Sequence, residues 1–155
     1  MFKKMRRNDR QSTEEHALAI VRNSEYGVLS TVSQEGYPYG VPLSYVYKDS
    51  NIYFHSALTG HKLDNIANNP NVSFCVVGNK KSLPEKFTTS YESVVIFGQA
   101  SEVTGEEKKD ALMALLDKYS PAYLEKGKEY IKNSKDTTTV MKITIEQITG
   151  KVRPQ

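Results

Sequence analysis

Residues 26–56 read YGVLSTVSQEGYPYGVPLSYVYKDSNIYFHS, and this stretch predicts three consecutive strands joined by short polar turns. Residues 26–33 alternate apolar and polar side chains with a period of two, which is typical of a half-buried strand. A turn at Gly36 leads to a second strand over 37–47, and another polar turn leads to a third over 52–56. Strands joined by such short turns pair antiparallel, so the stretch predicts a meander.

The second predicted strand contains two prolines, Pro38 and Pro42. Proline has no backbone N–H, so it cannot donate a hydrogen bond to a neighbouring strand. Prolines are therefore confined to edge strands or bulges, and we expect this strand to lie at an edge or to be irregular.

The rest of the chain predicts further strands and helices, without the regular strand–helix alternation of a parallel sheet. Ser12 and Glu15 have the spacing of a helix capping box, Gly98 inside a strand marks a bulge, and the polar residues 78–90 indicate a loop. The additional strands are predicted over 71–77, 91–103 and 138–148, and the helices over 12–23, 61–68, 106–119 and 121–133. The fold class is therefore α+β, mainly β, with about six antiparallel strands in a barrel or sandwich and with appended helices.

Length and hydropathy indicate one soluble domain. The chain has 155 residues, enough for a single core, and we assign residues 1–155 to one domain. The start, MFKKMRRNDRQ, predicts a flexible basic tail over 1–11 and lacks the apolar segment of a signal peptide. The longest apolar run, 94–97, is far too short to span a bilayer, so we expect a cytoplasmic protein without a membrane partner.

Charge and cysteine content exclude several classes of function. The net charge of +3 and the pI of about 8.8 are too mild for a nucleic-acid-binding protein, but they suit a small anionic ligand. Cys75 is the only cysteine, so no internal disulfide can form, and its apolar strand predicts a small core residue. The three histidines and one cysteine lack zinc-site spacing, so no metal is expected.

Residues 55–63, HSALTGHKL, form the most informative segment for chemistry. A strand ends, a turn with Gly60 follows, and a helix begins with His61 and Lys62 in its first turn. Free N–H groups and the helix dipole make such a start a natural anion site, and basic residues there oppose the dipole unless an anion is bound. An exposed turn with an incidental lysine remains an equal alternative at this point. His55 alone is compatible with a structural hydrogen bond or with catalysis.

Two longer segments carry a resemblance to a known family. Residues 40–76 read GVPLSYVYKDSNIYFHSALTGHKLDNIANNPNVSFCV, residues 91–103 read YESVVIFGQASEV, and the chain ends with ITIEQITGKV over 143–152. In order and spacing, these segments resemble the pyridoxamine 5′-phosphate oxidase-like flavoproteins, and most closely the branch of the nitroimidazole-resistance proteins. The resemblance extends from about Tyr26 to Val152.

The resemblance implies a split β-barrel that forms a homodimer and holds two molecules of flavin mononucleotide (FMN) at the subunit interface. Carried over to this sequence, it assigns the isoalloxazine ring to Pro42, Leu43 and Ser44. It assigns the ring edge or ribityl chain to His55 and Ser56, and the phosphate to His61 and Lys62. Ser93 would reach the flavin of the other subunit. His55 matches the histidine proposed as redox-active in the nitroimidazole-resistance branch.

Departures from the family pattern bear on the reaction. The oxidases proper carry an arginine beside the phosphate lysine, where this chain has His61, and the chain has no tryptophan and no later histidine. The resemblance therefore implies an oxidoreductase that reduces a small planar acceptor, such as a nitroaromatic compound, rather than the vitamin B6 reaction. Two alternatives remain: a non-catalytic flavin- or haem-binding sensor or storage protein, with His55 or His61 as the haem ligand, and a structural domain that binds no cofactor.

Overall fold

A computed structural model describes residues 1–154, which form seven strands, four α-helices and short 3-10 turns. The strands are β1 (Gly27–Val32), β2 (Pro38–Leu43), β3 (Val46–Lys48), β4 (Asn51–Ser56), β5 (Asn71–Leu83), β6 (Thr88–Val103) and β7 (Thr139–Arg153). The helices are α1 (Glu14–Asn23), α2 (His61–Asn68), α3 (Gly105–Tyr119) and α4 (Leu124–Ser134).

All seven strands belong to one antiparallel sheet with the order β2-β1-β5-β6-β7-β4-β3. The two edge strands, β2 and β3, are joined by only Ser44 and Tyr45. A connection of two residues bridges on the order of 10 Å, so the sheet must curl until its edges lie side by side. Because β2 and β3 share no ladder, a seam remains between them. The expected split barrel is therefore confirmed.

The barrel interior is filled by alternate residues of the strands. Leu29, Phe54, Phe74, Ile96 and Ile143 are fully buried there. Helix α1 contributes Ala17, Ile20 and Val21 to the same cluster, and α2 contributes Ile66. Strand residues of opposite parity face outward, as the period of two requires.

A second apolar cluster lies outside the barrel, where α3 packs on the sheet. Ala111 and Leu115 of α3 contact Val46, Tyr53 and Val140. Helix α4 packs against α3 and has no buried residue of its own. Gly127 permits the close approach of the two helices, because a Cβ at this position would overlap the Leu116 side chain.

The sequence predictions for individual strands are partly confirmed. Strand β2 lies at a sheet edge, as its two prolines indicated. The register between β6 and β7 shifts at Gly98, which confirms the predicted bulge. The predicted second strand, 37–47, is divided into β2 and β3 by the step across the seam, so the sheet has seven strands and not six.

The predicted loop over 78–90 is wrong. Strand β5 continues to Leu83 and β6 starts at Thr88, so most of this segment forms a two-stranded ribbon. The ribbon has polar side chains such as Lys80 and Lys81 on both faces, and the apolar alternation that identifies a strand is absent. Phe87 closes the turn in the left-handed conformation.

Two smaller corrections concern the start of α1 and the single cysteine. The N-cap of α1 is Thr13, whose hydroxyl oxygen accepts the His16 N–H at 3.2 Å, and not Ser12. Cys75 is half-buried on the outer face of β5, because its neighbours Phe74 and Val76 occupy the inward positions.

Part of the N-terminal segment predicted as a flexible tail makes contacts. A short 3-10 turn covers Asn8–Arg10, and the ring of Phe2 stacks on Phe97 with the centroids 4.8 Å apart. The flexibility of this segment stays a prediction.

Candidate functional site

The seam between β2 and β3 brings together the ends of three elements. Val46 of β3 is paired with Tyr53 of β4, and extending this register places Ser44 opposite His55. Both side chains are exposed, and both line one cavity beneath α3 and α4. Residues that are eleven positions apart in the sequence thus face each other at the seam.

The residues before Ser44 differ in how they face the site. Pro42 is exposed at the sheet edge. The side chain of Leu43 packs against the barrel core, so mainly its backbone is available at the surface. The site at this edge therefore combines a rigid proline, a backbone segment and the Ser44 hydroxyl.

Helix α2 begins beside this seam with unsatisfied N–H groups. Its N-cap is Gly60, and no side chain caps the first turn. The Gly60 carbonyl accepts the Asp64 N–H at 3.0 Å, which closes the first helical turn. The free N–H groups at the helix start carry the positive end of the helix dipole and suit an anion.

His61 is held by an aromatic contact that the sequence did not predict. Its imidazole stacks on the ring of Tyr39 in β2, with the centroids 4.0 Å apart and the planes inclined by 23°. Tyr39 thereby connects the start of α2 to the edge strand. The half-buried Tyr39 alternates with exposed neighbours in β2, but the helix it would meet could not be identified from that pattern.

Lys62 is half-buried, and no carboxylate of residues 1–154 lies within ion-pair distance of its ammonium group. The pKa of His55 is lowered from its ordinary value, first by burial and then by the positive charge of Lys62. His55 is therefore neutral at pH 7, and its two ring nitrogens can donate one hydrogen bond and accept another.

Ser93 is not brought to the seam within one chain. Ser93 lies on β6 in register with Val77 and Lys151. His55 pairs with Val140, and Val140 pairs with Val103 at the far end of β6. Ten residues of strand correspond to about 33 Å. Ser93 therefore lies far from His55 within one chain, and its contact with the flavin of a second subunit stays a prediction.

The outer face of the barrel around Ser93 carries an uncharged row that crosses five strands. In register, this row contains Pro42, Val28, Cys75, Val95 and Thr149. Val77, next to the row, is 53% exposed. Lys151, in register with Ser93, is a charged side chain beside this row, so the uncharged surface is limited to the row itself.

A cavity of about 610 Å³ lies between α3, α4 and the outer face of β4. Ser44 and His55 belong to its wall, and the other lining residues come mainly from the two helices. His55 is thus shared by the cavity and by the neighbourhood of Lys62.

The family profile described as "Pyridoxamine 5′-phosphate oxidase" matches residues 13–152. The chain belongs to the pyridoxamine 5′-phosphate oxidase family. The match spans every strand of the barrel except the last residue of β7, together with all four helices, and it includes all eight site residues inferred from the family resemblance. No curated protein matches the chain in sequence.

Solved structures of several proteins share the fold of this family member. A candidate 5-nitroimidazole antibiotic resistance protein from Bacteroides thetaiotaomicron is 24% identical with a TM-score of 0.78, over 91% of this chain and 84% of that one. A conserved hypothetical protein from Mycobacterium tuberculosis is 19% identical with a TM-score of 0.83, over 96% and 90%. An FAD and haem binding protein from Mycobacterium smegmatis is 15% identical with a TM-score of 0.79, over 94% and 74%.

Residues 1–154 lack two further features. These residues contain no group of three or more His, Cys, Asp or Glu side chains that could hold a metal ion. None of the helices in this part of the chain is both long enough and apolar enough to cross a membrane.

The donors at the seam fit a phosphorylated flavin. The uncapped start of α2 and Lys62 supply donors and positive charge, although the carboxylate of Asp64 also lies in the first turn. Ser56 precedes them, and its hydroxyl donates to the Ala57 carbonyl at 2.9 Å. Pro42, Ser44 and neutral His55 supply an uncharged surface nearby. The first group suits a phosphate and the second suits a planar ring.

Proposed function

We propose that this family member is a flavoprotein that binds FMN at the seam as a homodimer and reduces a small planar acceptor, such as a nitroaromatic compound. The observation that carries the proposal is the start of α2. There, a half-buried lysine without an acidic partner adjoins an uncapped helix terminus, beside the seam formed by Ser44 and His55.

The phosphate would be held at the helix start. Lys62 would supply a full positive charge, and the free N–H groups of the first turn would supply hydrogen bonds. Ser56, at the end of β4, donates its hydroxyl proton to the Ala57 carbonyl, so its oxygen would accept a hydrogen bond from the ribityl chain. His61, oriented by Tyr39, would present a ring N–H.

The ring would lie against Pro42, the backbone of Leu43, and Ser44. Bound flavin supplies two-electron redox chemistry, which no side chain of the protein can provide. The neutral His55 imidazole would donate or accept one proton at the seam, and the barrel wall would exclude water from the ring. In balance, a reduced nicotinamide loses two electrons and one proton, and the solvent supplies a second proton. The nitro group takes the two electrons and the two protons to become a nitroso group and water.

The homodimer would form through the outer face of the barrel that carries the uncharged row. Pro42, at one end of the uncharged row, and Ser93 share this face, so pairing of two such faces would bring Ser93 of one copy towards the sheet edge of the other. A cytoplasmic location stays a prediction.

A second candidate is a flavin- or haem-binding protein without turnover. The similarity in fold to the FAD and haem binding protein of Mycobacterium smegmatis favours it, as does the exposed position of His55 on a cavity wall. This candidate predicts bound cofactor without steady-state reduction, and a Soret band if the ligand is haem.

The test compares FMN with riboflavin, which lacks the phosphate, by quenching of flavin fluorescence. Lys62→Ala should weaken FMN binding by about 10- to 100-fold, the usual range for a hydrogen bond to a charged group. It should leave riboflavin binding unchanged. Lys132→Ala, at an exposed site on α4, is the matched control and should change neither affinity.

Three outcomes decide between the candidates. Equal loss of FMN and riboflavin in Lys62→Ala would reject the phosphate role. Absence of flavin binding by the unmodified chain would reject the proposed function. Tight FMN binding without nitro reduction by any reduced nicotinamide would favour the candidate without turnover. The mass of the FMN-bound species, from light scattering, tests the dimer.

A further inference from the structure

The cavity between α3 and α4 is built mainly from apolar and aromatic side chains. Leu112, Leu115 and Leu116 line it from α3, and Tyr130 and Ile131 line it from α4. Polar side chains are fewer, and they include Ser120, Ser134 and Thr138 near the ends of the helices. Ser44 and His55 lie at the sheet end, and Lys126 lies on α4.

The helix pair holds this cavity open. Gly127 of α4 lies so close to Leu116 that no larger residue fits between the helices at this point. Leu124 and Ile131 of α4 are also half-buried, whereas Tyr130 is 73% exposed and Tyr123, just before the helix, is 63% exposed. Part of the apolar side of α4 therefore faces the cavity without being buried.

The size and chemistry of the cavity suit a small ligand. Its volume of about 610 Å³ is within the range of roughly 300–1,000 Å³ that is usual for small-molecule sites. Tyrosine rings offer faces for stacking at little cost in conformational entropy. Lys126 is the only charged side chain other than the titratable His55 in the lining, and it has no carboxylate within ion-pair distance among residues 1–154.

We infer that the α3–α4 cavity binds a planar aromatic compound with one acidic group, whose ring lies among the leucine and tyrosine side chains and whose anion faces Lys126. The binding itself requires no flavin. The assignment of this ligand as the electron acceptor rests on the proposed function, because Ser44 and His55 are walls of both the cavity and the seam.

Two matched fluorescent probes test the binding. 1-Anilinonaphthalene-8-sulfonate carries the aromatic rings and an acidic group, and N-phenyl-1-naphthylamine has the same ring skeleton without the acid. Both should bind the flavin-free protein with one probe per chain. Lys126→Gln should weaken binding of the sulfonate about two- to five-fold, as expected for an exposed ion pair. It should leave binding of the neutral probe unchanged.

Filling the cavity provides the second part of the test. Ser134 lines the cavity from the end of α4, so Ser134→Phe should weaken both probes by roughly ten-fold or more. Ser134→Ala removes the same hydroxyl without filling the space and should bind both probes as the unmodified chain does. Ser120→Phe fills the cavity from the other side and repeats the test if Ser134→Phe fails to fold.

The outcomes separate this inference from the proposed function. Equal probe affinity in the filled and unmodified chains would overturn the cavity site, whatever the result with FMN. Probe binding that the filled variants abolish, in a chain that does not bind FMN, would support the cavity and reject the flavin. A loss of both probes in Lys126→Gln would overturn the role of the acidic group.

Discussion

Tyr119→Phe is expected to destabilise the fold through the seam. The Tyr119 hydroxyl, at the end of α3, accepts the backbone N–H of Tyr45 at 3.0 Å. Its proton is shared by the carbonyl oxygens of Tyr45, at 2.9 Å, and Glu25. One hydroxyl thus ties α3 to the residue that crosses between the two sheet edges and to the segment before β1. Phenylalanine keeps the ring but leaves these backbone groups without this partner.

The magnitude follows from the burial of the groups that lose a partner. Tyr45 is fully buried, and an unsatisfied buried donor costs about 1–3 kcal/mol. Tyr119 itself is 38% exposed, so water can reach part of the site. In addition, the Tyr45 carbonyl keeps the Lys118 ammonium donor at 2.9 Å. We therefore expect a loss of about 1–2 kcal/mol in the free energy of unfolding, or roughly 2–8 °C in Tm for a chain of this size.

Urea unfolding followed by circular dichroism measures this loss. Tyr123→Phe is the matched control: Tyr123 is 63% exposed, and its hydroxyl makes no hydrogen bond within residues 1–154. It should change the free energy of unfolding by less than about 0.5 kcal/mol. If Tyr119→Phe were as stable as Tyr123→Phe, the view that this hydroxyl holds the seam together would be refuted.

Two further predictions concern a histidine and a glycine. Burial and Lys62 lower the pKa of His55 from 6.5 in the folded chain. As the pH falls, the imidazole is therefore protonated in the unfolded chain before it is protonated in the folded chain. The stability that neutral His55 contributes is lost as the pH falls below about 6.5. His55→Gln should therefore flatten the pH dependence of the free energy of unfolding in urea between about pH 7 and 5, and a steeper profile would contradict this. Lys62→Met should raise the pKa of His55 in a proton NMR titration, and an unchanged pKa would contradict the effect of Lys62. A Cβ at Gly98 would overlap the Thr144 carbonyl oxygen in the neighbouring strand, so Gly98→Ala should cost about 1–3 kcal/mol in urea unfolding. Gly40→Ala, where the nearest atom lies at 3.6 Å, should cost less than Gly98→Ala, and equal losses would contradict the overlap.

The curled sheet could be predicted from the sequence because its signals are local. Alternation identifies β1, the prolines identify the edge position of β2, and Gly98 identifies the bulge opposite β7. Each signal depends on the residue itself and on its immediate neighbours. The ribbon within 78–90 escaped prediction because it has no buried face, and its strands are held by backbone hydrogen bonds that any sequence can form.

The candidate site likewise contains features that local sequence predicts and features that it does not. A basic residue at a helix start can be recognised within a few positions, so the sequence predicts Lys62 in the first turn of α2, and anion binding there stays a prediction. The stacking of His61 on Tyr39 depends on how α2 packs against β2, which local sequence does not encode. The cavity beneath α4 depends on the angle between two helices and was equally inaccessible.

The step across the seam explains why these features lie together. Two residues must carry the chain from one edge of the sheet to the other, so Ser44 and Tyr45 cannot continue either strand. Tyr45 is turned into the core and fixes the step, whereas Ser44 is left exposed opposite His55. The positive charge of Lys62 lowers the pKa of His55, and the α3–α4 cavity lies beside the imidazole. His55 therefore lies between the anion site proposed at Lys62 and a mainly apolar cavity, an arrangement that would allow a bound cofactor and a second aromatic molecule to meet at the same residue.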